Sequence, residues 1–144
     1  MNLRFQPTTV EDFGVLVDLR IDAMRESLEA IGRFDRSRSI ERFRSSFAPE
    51  KTKKIIKDGN LAGFIAFSEY DDHLYLDHLY IDPKFQSLGI GSIVLKSLIE
   101  HSEKEEKPVR LGALRSSKSN DFYKRHGFSI TKEDEFDIYY ERKN

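Results

Sequence analysis

The chain has 144 residues, of which 38% are hydrophobic and 34% charged, with no cysteine, and its 24 Lys and Arg against 25 Asp and Glu leave a net charge of -1. That length suits one domain with its own core over residues 1–144, while the even charge excludes a bulk pull toward nucleic acid or an anionic membrane. The missing cysteines exclude a disulfide framework, a thiolate zinc site and a cysteine nucleophile, and no apolar run approaches the roughly 20 residues that span a bilayer. The opening "MNLRFQPTTVEDF" lacks the apolar core of a signal peptide, so a cytoplasmic protein without nucleic-acid or membrane partners is the expectation.

In chain order, "LRFQP" reads as a short strand stopped by Pro7, and Thr8 or Thr9 caps a helix with acids in its first turn. Val10, Phe13, Val17 and Ile21 recur at helical spacing, widened by Leu16 and Leu19, and predict a helix running toward Ala30 and ended by Gly32. A second helix is predicted from Ser39 to Phe47, where Ile40, Phe43 and Phe47 share a face ahead of Pro49. "TKKIIKDGNLAGFIAFSEYDDHLYLDHLYI" reads as a three-stranded antiparallel meander with turns at Asp58-Gly59 and Asp71-Asp72. A glycine loop and a helix to about Glu106 follow. The strand "VRLGAL", a short helix around "SNDFYKRHG" closed by Gly127, and the strands "FSITKE" and "FDIYYER" complete the chain. The order βααβββαβαββ predicts an α/β (α+β) domain around a mostly antiparallel mixed sheet flanked by helices.

The loop Gln86-Ser87-Leu88-Gly89-Ile90-Gly91 follows a strand and opens a helix, a geometry that aims unpaired backbone N–H groups at an anion. Glycine there permits unusual backbone angles and close approach of a phosphate. No Gly-Lys-Ser/Thr closes the loop and Val94 stands at the third glycine position, so it is neither a nucleotide-hydrolysing loop nor a dinucleotide fingerprint.

Gln86-x-x-Gly89-x-Gly91, between "LYIDPKF" and "SIVLKSLI", resembles the acyl-CoA-binding motif of the GNAT superfamily of N-acetyltransferases, and "SNDFYKRHGF" resembles that family's Phe-Tyr-x-x-x-Gly-Phe segment with Phe122, Tyr123, Gly127 and Phe128 in place. The element order covers the chain as that family would. The resemblance implies direct transfer of an acetyl group from acetyl-CoA, as co-substrate and without a metal, to a primary amine on a small molecule, a protein N-terminus or a lysine. A non-catalytic acyl-CoA-binding regulatory module is the alternative.

The same resemblance assigns roles. Backbone amides of Ser87, Leu88, Gly89, Ile90, Gly91 and Ser92 would hold the pyrophosphate, with Gln86 beside them. The strand through Leu79, Tyr80 and Ile81 would splay from "LGAL" so that pantetheine pairs with Leu79 and Ile81, the Ile81 amide also facing the thioester carbonyl as an oxyanion donor. Many relatives carry an asparagine seven residues before the tyrosine; here that position is Ser116, and Asn120 lies three before it, so either would face the sulfur.

Tyr123 is the candidate acid for the departing thiolate, because the ordinary pKa of a phenol, about 10, lies near the 8.5 of a thiol. For the base, Asp77 and His78 precede the cofactor segment and point to opposite faces by strand alternation, so at most one faces the reacting centre; Glu69 could act through a water, and an amine arriving neutral needs none. Arg25, Arg33, Arg36, Arg38, Arg42 and Arg44 read as a solvated face paired with Glu26, Glu29, Asp35 and Glu41, or as an anion clamp for an acidic acceptor. His73, His101 and His126 show no metal-ligand spacing. The aromatic-rich ending "FDIYYER" reads as core and edge-strand surface that could pair with a second subunit as a homodimer.

Overall fold

In a computed structural model describing residues 2–144, the sequence signals become seven strands and four helices. Strand β1 (Leu3–Pro7) leads through a 3-10 turn at Val10–Asp12 into α1 (Phe13–Ala30), and α2 (Arg36–Ser46) follows. The meander is β2 (Thr52–Lys57), β3 (Asn60–Glu69) and β4 (Leu74–Ile81). Then come α3 (Ile90–Lys104), β5 (Val109–Leu114), α4 (Ser119–Arg125), β6 (Ser129–Glu133) and β7 (Asp137–Arg142).

Two helix boundaries differ from the sequence pattern. Thr9 forms a capping box with Asp12, but it caps the 3-10 turn, so Val10 precedes the helix and stays 69% exposed rather than joining the apolar stripe. The second helix begins earlier than Ser39 because the Asp35 carboxylate accepts the Arg38 amide and caps it.

The sheet order is β1-β2-β3-β4-β5-β7-β6, antiparallel throughout except for the parallel pair β4–β5. On one face α1 and α2 bury Leu16, Val17, Leu19, Ile21 and Phe43 against Phe64. On the other, Ile90, Val94, Leu95, Leu98 and Ile99 of α3 and Tyr123 of α4 pack against Ile65, Leu74, Leu76, Val109 and Leu111. No helix among the described residues is long and apolar enough to cross a membrane.

Two irregularities in this sheet shape the site. The β3–β4 register shifts between Ala66 and Phe67: Ala66 faces His78 and Phe67 faces Leu76, which leaves Asp77 as an extra residue, a β-bulge. The parallel pairing of β4 with β5 covers only Leu74 to Leu76 against Val109 to Leu111, and beyond it the strands part.

Candidate active site

The parting strands open a cleft of about 650 Å³ bordered by Asp77 to Ile81 of β4, Leu111 to Leu114 of β5, the glycine loop, the loop before α4, and the inner side of α1. Its walls carry unspent backbone groups. The Leu74 N–H donates to Pro108 of the β5 side, so residues whose side chains share Leu74's face turn their N–H and C=O toward β5. Leu79 and Ile81 share that face, packing on the α3 cluster. Asp82, the next residue, donates its N–H the other way to Ala62 of β3, so the Ile81 N–H points into the gap. The Gln86 Nε2 donates to the Ile81 carbonyl at 2.9 Å and ties the loop to this strand end.

Six amides, from Ser87 to Ser92, have no acceptor among the described residues; the first rung of α3 is Ile93 N–H to Gly89 O at 3.1 Å. Ser87 at φ 65 and Gly89 at φ 82 adopt left-handed angles that curl the loop around this donor end. Gly91 has no such angle, and a Cβ there would make ordinary contacts with the Phe122 ring at 3.4 Å and the Ile81 side chain at 3.9 Å. Its use is to leave room on the cleft side. Leu88 is half exposed, and Ser92, Lys118 and Arg125 line the same cleft.

The bulge overturns the alternation expected for Asp77 and His78, because two successive residues now stand opposite Ala66 and both border the cleft. Asp77 accepts the buried Ser68 hydroxyl at 2.7 Å, and Ser68 in turn accepts from the Lys51 ammonium at 3.2 Å. His78 lies against the rings of Phe43 and Phe64, with Nε2 3.2 Å from the Ser46 hydroxyl and Nδ1 buried without a partner among the described residues. Burial, then the charge of Arg20, pushes its pKa down to about 4. Tyr80 turns its ring to the same helix face, 5.5 Å from Phe64.

Glu69 lies outside the cleft. Its oxygens accept from His101 at 2.9 Å and Lys107 at 3.0 Å, bonds that hold its pKa down, so a catalytic water relay from Glu69 is not supported. With Glu105 these groups place three ligand-type atoms within 4.8 Å of one another, a proximity that sequence spacing did not suggest.

Tyr123 borders the cleft and is 7% exposed, and its hydroxyl makes no hydrogen bond to the described residues. Burial first, and the neighbouring Tyr80 second, raise its pKa well above the usual phenol value. Ser116 also borders the cleft, but its hydroxyl donates to the Ser27 carbonyl of α1 at 2.9 Å. Asn120 does not reach the cleft. Its Nδ2 faces the carbonyls of Leu114, Arg115 and Ser117, and its Oδ1 accepts the Tyr140 hydroxyl at 2.7 Å. A cofactor contact through the Asn120 side chain is therefore corrected to a packing role. Sequence reasoning missed Met24, Glu26 and Ser27 of α1 as cleft residues; their only signal was a helical face poorer in apolar side chains.

The arginine segment divides among ion pairs and rings: Arg25 with Glu29, Arg36 with Asp18, Arg44 with Glu41, and Arg33 stacked 4.0 Å from the centre of Phe136. None of the six borders the cleft. The solvated-face reading fits them.

A mixed sheet opened between two parallel strands, with a curled amide loop at the head of the following helix, defines an acyl-CoA-dependent transferase fold. A family model described as an acetyltransferase (GNAT) domain matches residues 22–137, and the chain belongs to that family. Among solved structures it is similar to the PaiA N-acetyltransferase of Thermoplasma acidophilum in complex with coenzyme A, at 22% identity over all of both chains and a TM-score of 0.80. The ribosomal-protein-S18-alanine N-acetyltransferase of Escherichia coli shares 17% identity over 98% of this chain and 93% of that one, with a TM-score of 0.73. YjaB of Escherichia coli, in its apo form, shares 17% over 98% and 97%, at 0.77. At these identities the likeness is one of fold. No curated protein matches the sequence.

Proposed function

We propose that this chain transfers an acetyl group from acetyl-CoA to a primary amine by direct attack. The observation that carries the reading is the set of amides from Ser87 to Ser92 without acceptors, standing at the mouth of the strand gap. Six such donors at a helix N-terminus fit a pyrophosphate, and the N–H and C=O of Leu79 fit an extended amide chain lying in the gap as an added strand. Acetyl-CoA supplies the activated acyl group.

Chemistry is assigned to three groups of the chain. The Ile81 N–H donates to the acyl oxygen as negative charge develops there. Asp77, its one oxygen held by Ser68, receives the proton of the attacking amine directly or through a water. His78 is the weaker candidate, because an imidazole pushed down to about 4 retains a proton poorly against an amine. As the nitrogen–carbon bond forms and the carbon–sulfur bond breaks, the Tyr123 hydroxyl donates a hydrogen bond to the departing sulfur. With its pKa raised by burial, Tyr123 stabilises the thiolate as a neutral donor, since full transfer to a thiol of about 8.5 is uphill, and solvent supplies the final proton.

The acceptor is a primary amine on a small molecule or a protein N-terminus or lysine. The test joins calorimetric titration of CoA with colorimetric thiol release from acetyl-CoA over an amine panel. A chain without cysteine contributes no background to the thiol signal. Binding with amine-dependent release is expected; binding without release from any amine favours a regulatory acyl-CoA-binding module.

A further inference from the structure

Helix α4 spans only seven residues, from Ser119 to Arg125; the Lys118 side chain at its start makes no cap, and only the Ser117 hydroxyl accepts its first amide, that of Ser119, at 3.1 Å. Yet it carries Tyr123 into the cleft, and the loop before it forms a cleft wall through Ser116 and Ser117. An isolated helix of that length does not hold its own orientation. What fixes it is buried: the Asn120 Nδ2 lies 3.0 Å from Leu114 O, 3.3 Å from Arg115 O and 2.7 Å from Ser117 O. Its Oδ1 accepts from the Tyr140 hydroxyl at 2.7 Å, and Tyr140 is 1% exposed on β7. One amide side chain thus joins the splayed end of β5, the loop, the first turn of α4 and the neighbouring strand.

We infer that Asn120 and Tyr140 form a positioning clasp for the thiol end of the acyl-CoA site, setting where the loop wall and the Tyr123 hydroxyl stand. Neither side chain touches the ligand. The inference rests on the acyl-CoA reading of the cleft and names a part of the chain that serves it. The amides of the glycine loop belong to the head of α3, which α4 meets through the Phe122 ring beside Gly91, so loosening the clasp disturbs the pantetheine and thiol end more than the phosphate end.

The test is calorimetry with two probes, CoA and adenosine 3′-phosphate 5′-diphosphate, which keeps the phosphates and lacks pantetheine. Tyr140→Phe removes one hydroxyl and leaves the Asn120 amide bonds; Asn120→Asp keeps size and the Tyr140 acceptor while removing the donors. A thermal melt selects the folded variants, and either one suffices. We expect CoA to bind about tenfold more weakly to the variant, the scale of one well-made hydrogen bond, with the phosphate probe within about twofold of the parent. Unchanged CoA affinity in a folded variant overturns the clasp, and so does an equal loss for both probes, which marks a merely structural role. A parent protein that binds neither probe overturns the acyl-CoA reading itself.

Discussion

Leu76 and His78 lie on opposite faces of β4 although they stand two positions apart, because Asp77 between them is the bulge. An uninterrupted strand would have placed both on the α3 face. The bulge instead delivers His78 and Tyr80 to the α1–α2 face and turns the Asp77 carboxylate to the cleft beside Ser68. Asp77→Asn preserves an acceptor for the Ser68 hydroxyl and removes the charge. We expect a fall in kcat/KM of about tenfold to hundredfold with CoA affinity unchanged, read by thiol release with the best amine of a panel. Undiminished turnover in the folded variant removes Asp77 from proton transfer.

The glycine loop predicts a graded series. Gly89→Val combines a disfavoured angle at φ 82 with bulk beside the amides and should abolish measurable CoA binding. The Cβ of Gly91→Val meets the Phe122 ring and the Ile81 side chain at ordinary contact distances, so the variant should fold while its side chain obstructs the ligand. Gln86→Ala, which loses a tie to the Ile81 carbonyl, should weaken CoA by about tenfold at most. Calorimetry orders the three, and parental affinity in Gly91→Val would refute the cradle.

Tyr123→Phe deletes a hydroxyl that bonds to no described residue and keeps the ring contacts with Phe128 and Tyr140. Stability should hold. We expect kcat to fall about tenfold to hundredfold with the acetyl-CoA KM little changed, because the hydrogen bond strengthens as charge gathers on sulfur. Steady-state kinetics at neutral pH decides it, and an unaltered kcat reassigns the ring to packing.

His78 makes stability depend on pH. Its folded pKa, pushed down to about 4, lies below the ordinary histidine value of 6.5, so as pH falls from 6.5 the unfolded chain takes up a proton that the native ring refuses. Stability is then lost at roughly 1.4 kcal/mol per pH unit until about pH 4, where both states bind the proton. His78→Gln should flatten that slope. Urea midpoints at pH 7 and pH 5 provide the comparison; parallel losses in parent and variant would place the ring in a solvated setting.

Gly63 is required for a different reason than the loop glycines. A Cβ there would run into the Tyr80 carbonyl oxygen of the adjoining strand, a backbone atom that cannot swing aside. Gly63→Ala should cost about 1 to 3 kcal/mol, measured by chemical denaturation, and disturb the strand end that carries Ile81. A variant as stable as the parent would show that β3 and β4 can shift apart freely.

The order of elements was legible in the sequence because it depends on local physics: period-3.6 stripes such as Val17 and Ile21, turns at Asp58-Gly59, and a helix opened by Gly89. The donor loop was legible for the same reason, as a strand, a glycine turn and a helix contiguous in the chain. Relationships between distant segments decided the rest. No local pattern separates a regular strand from one bulged at Asp77, since the extra residue is defined only against Ala66 and Phe67 of the neighbouring strand. No spacing tells that Asn120 saturates itself on the Leu114, Arg115 and Ser117 carbonyls while Tyr140, twenty residues on, supplies its last partner. Sequence periodicity records which side of its own element a residue occupies. Which partner it meets, and whether its polar atoms remain free for a ligand, is fixed by pairing register and packing across the sheet.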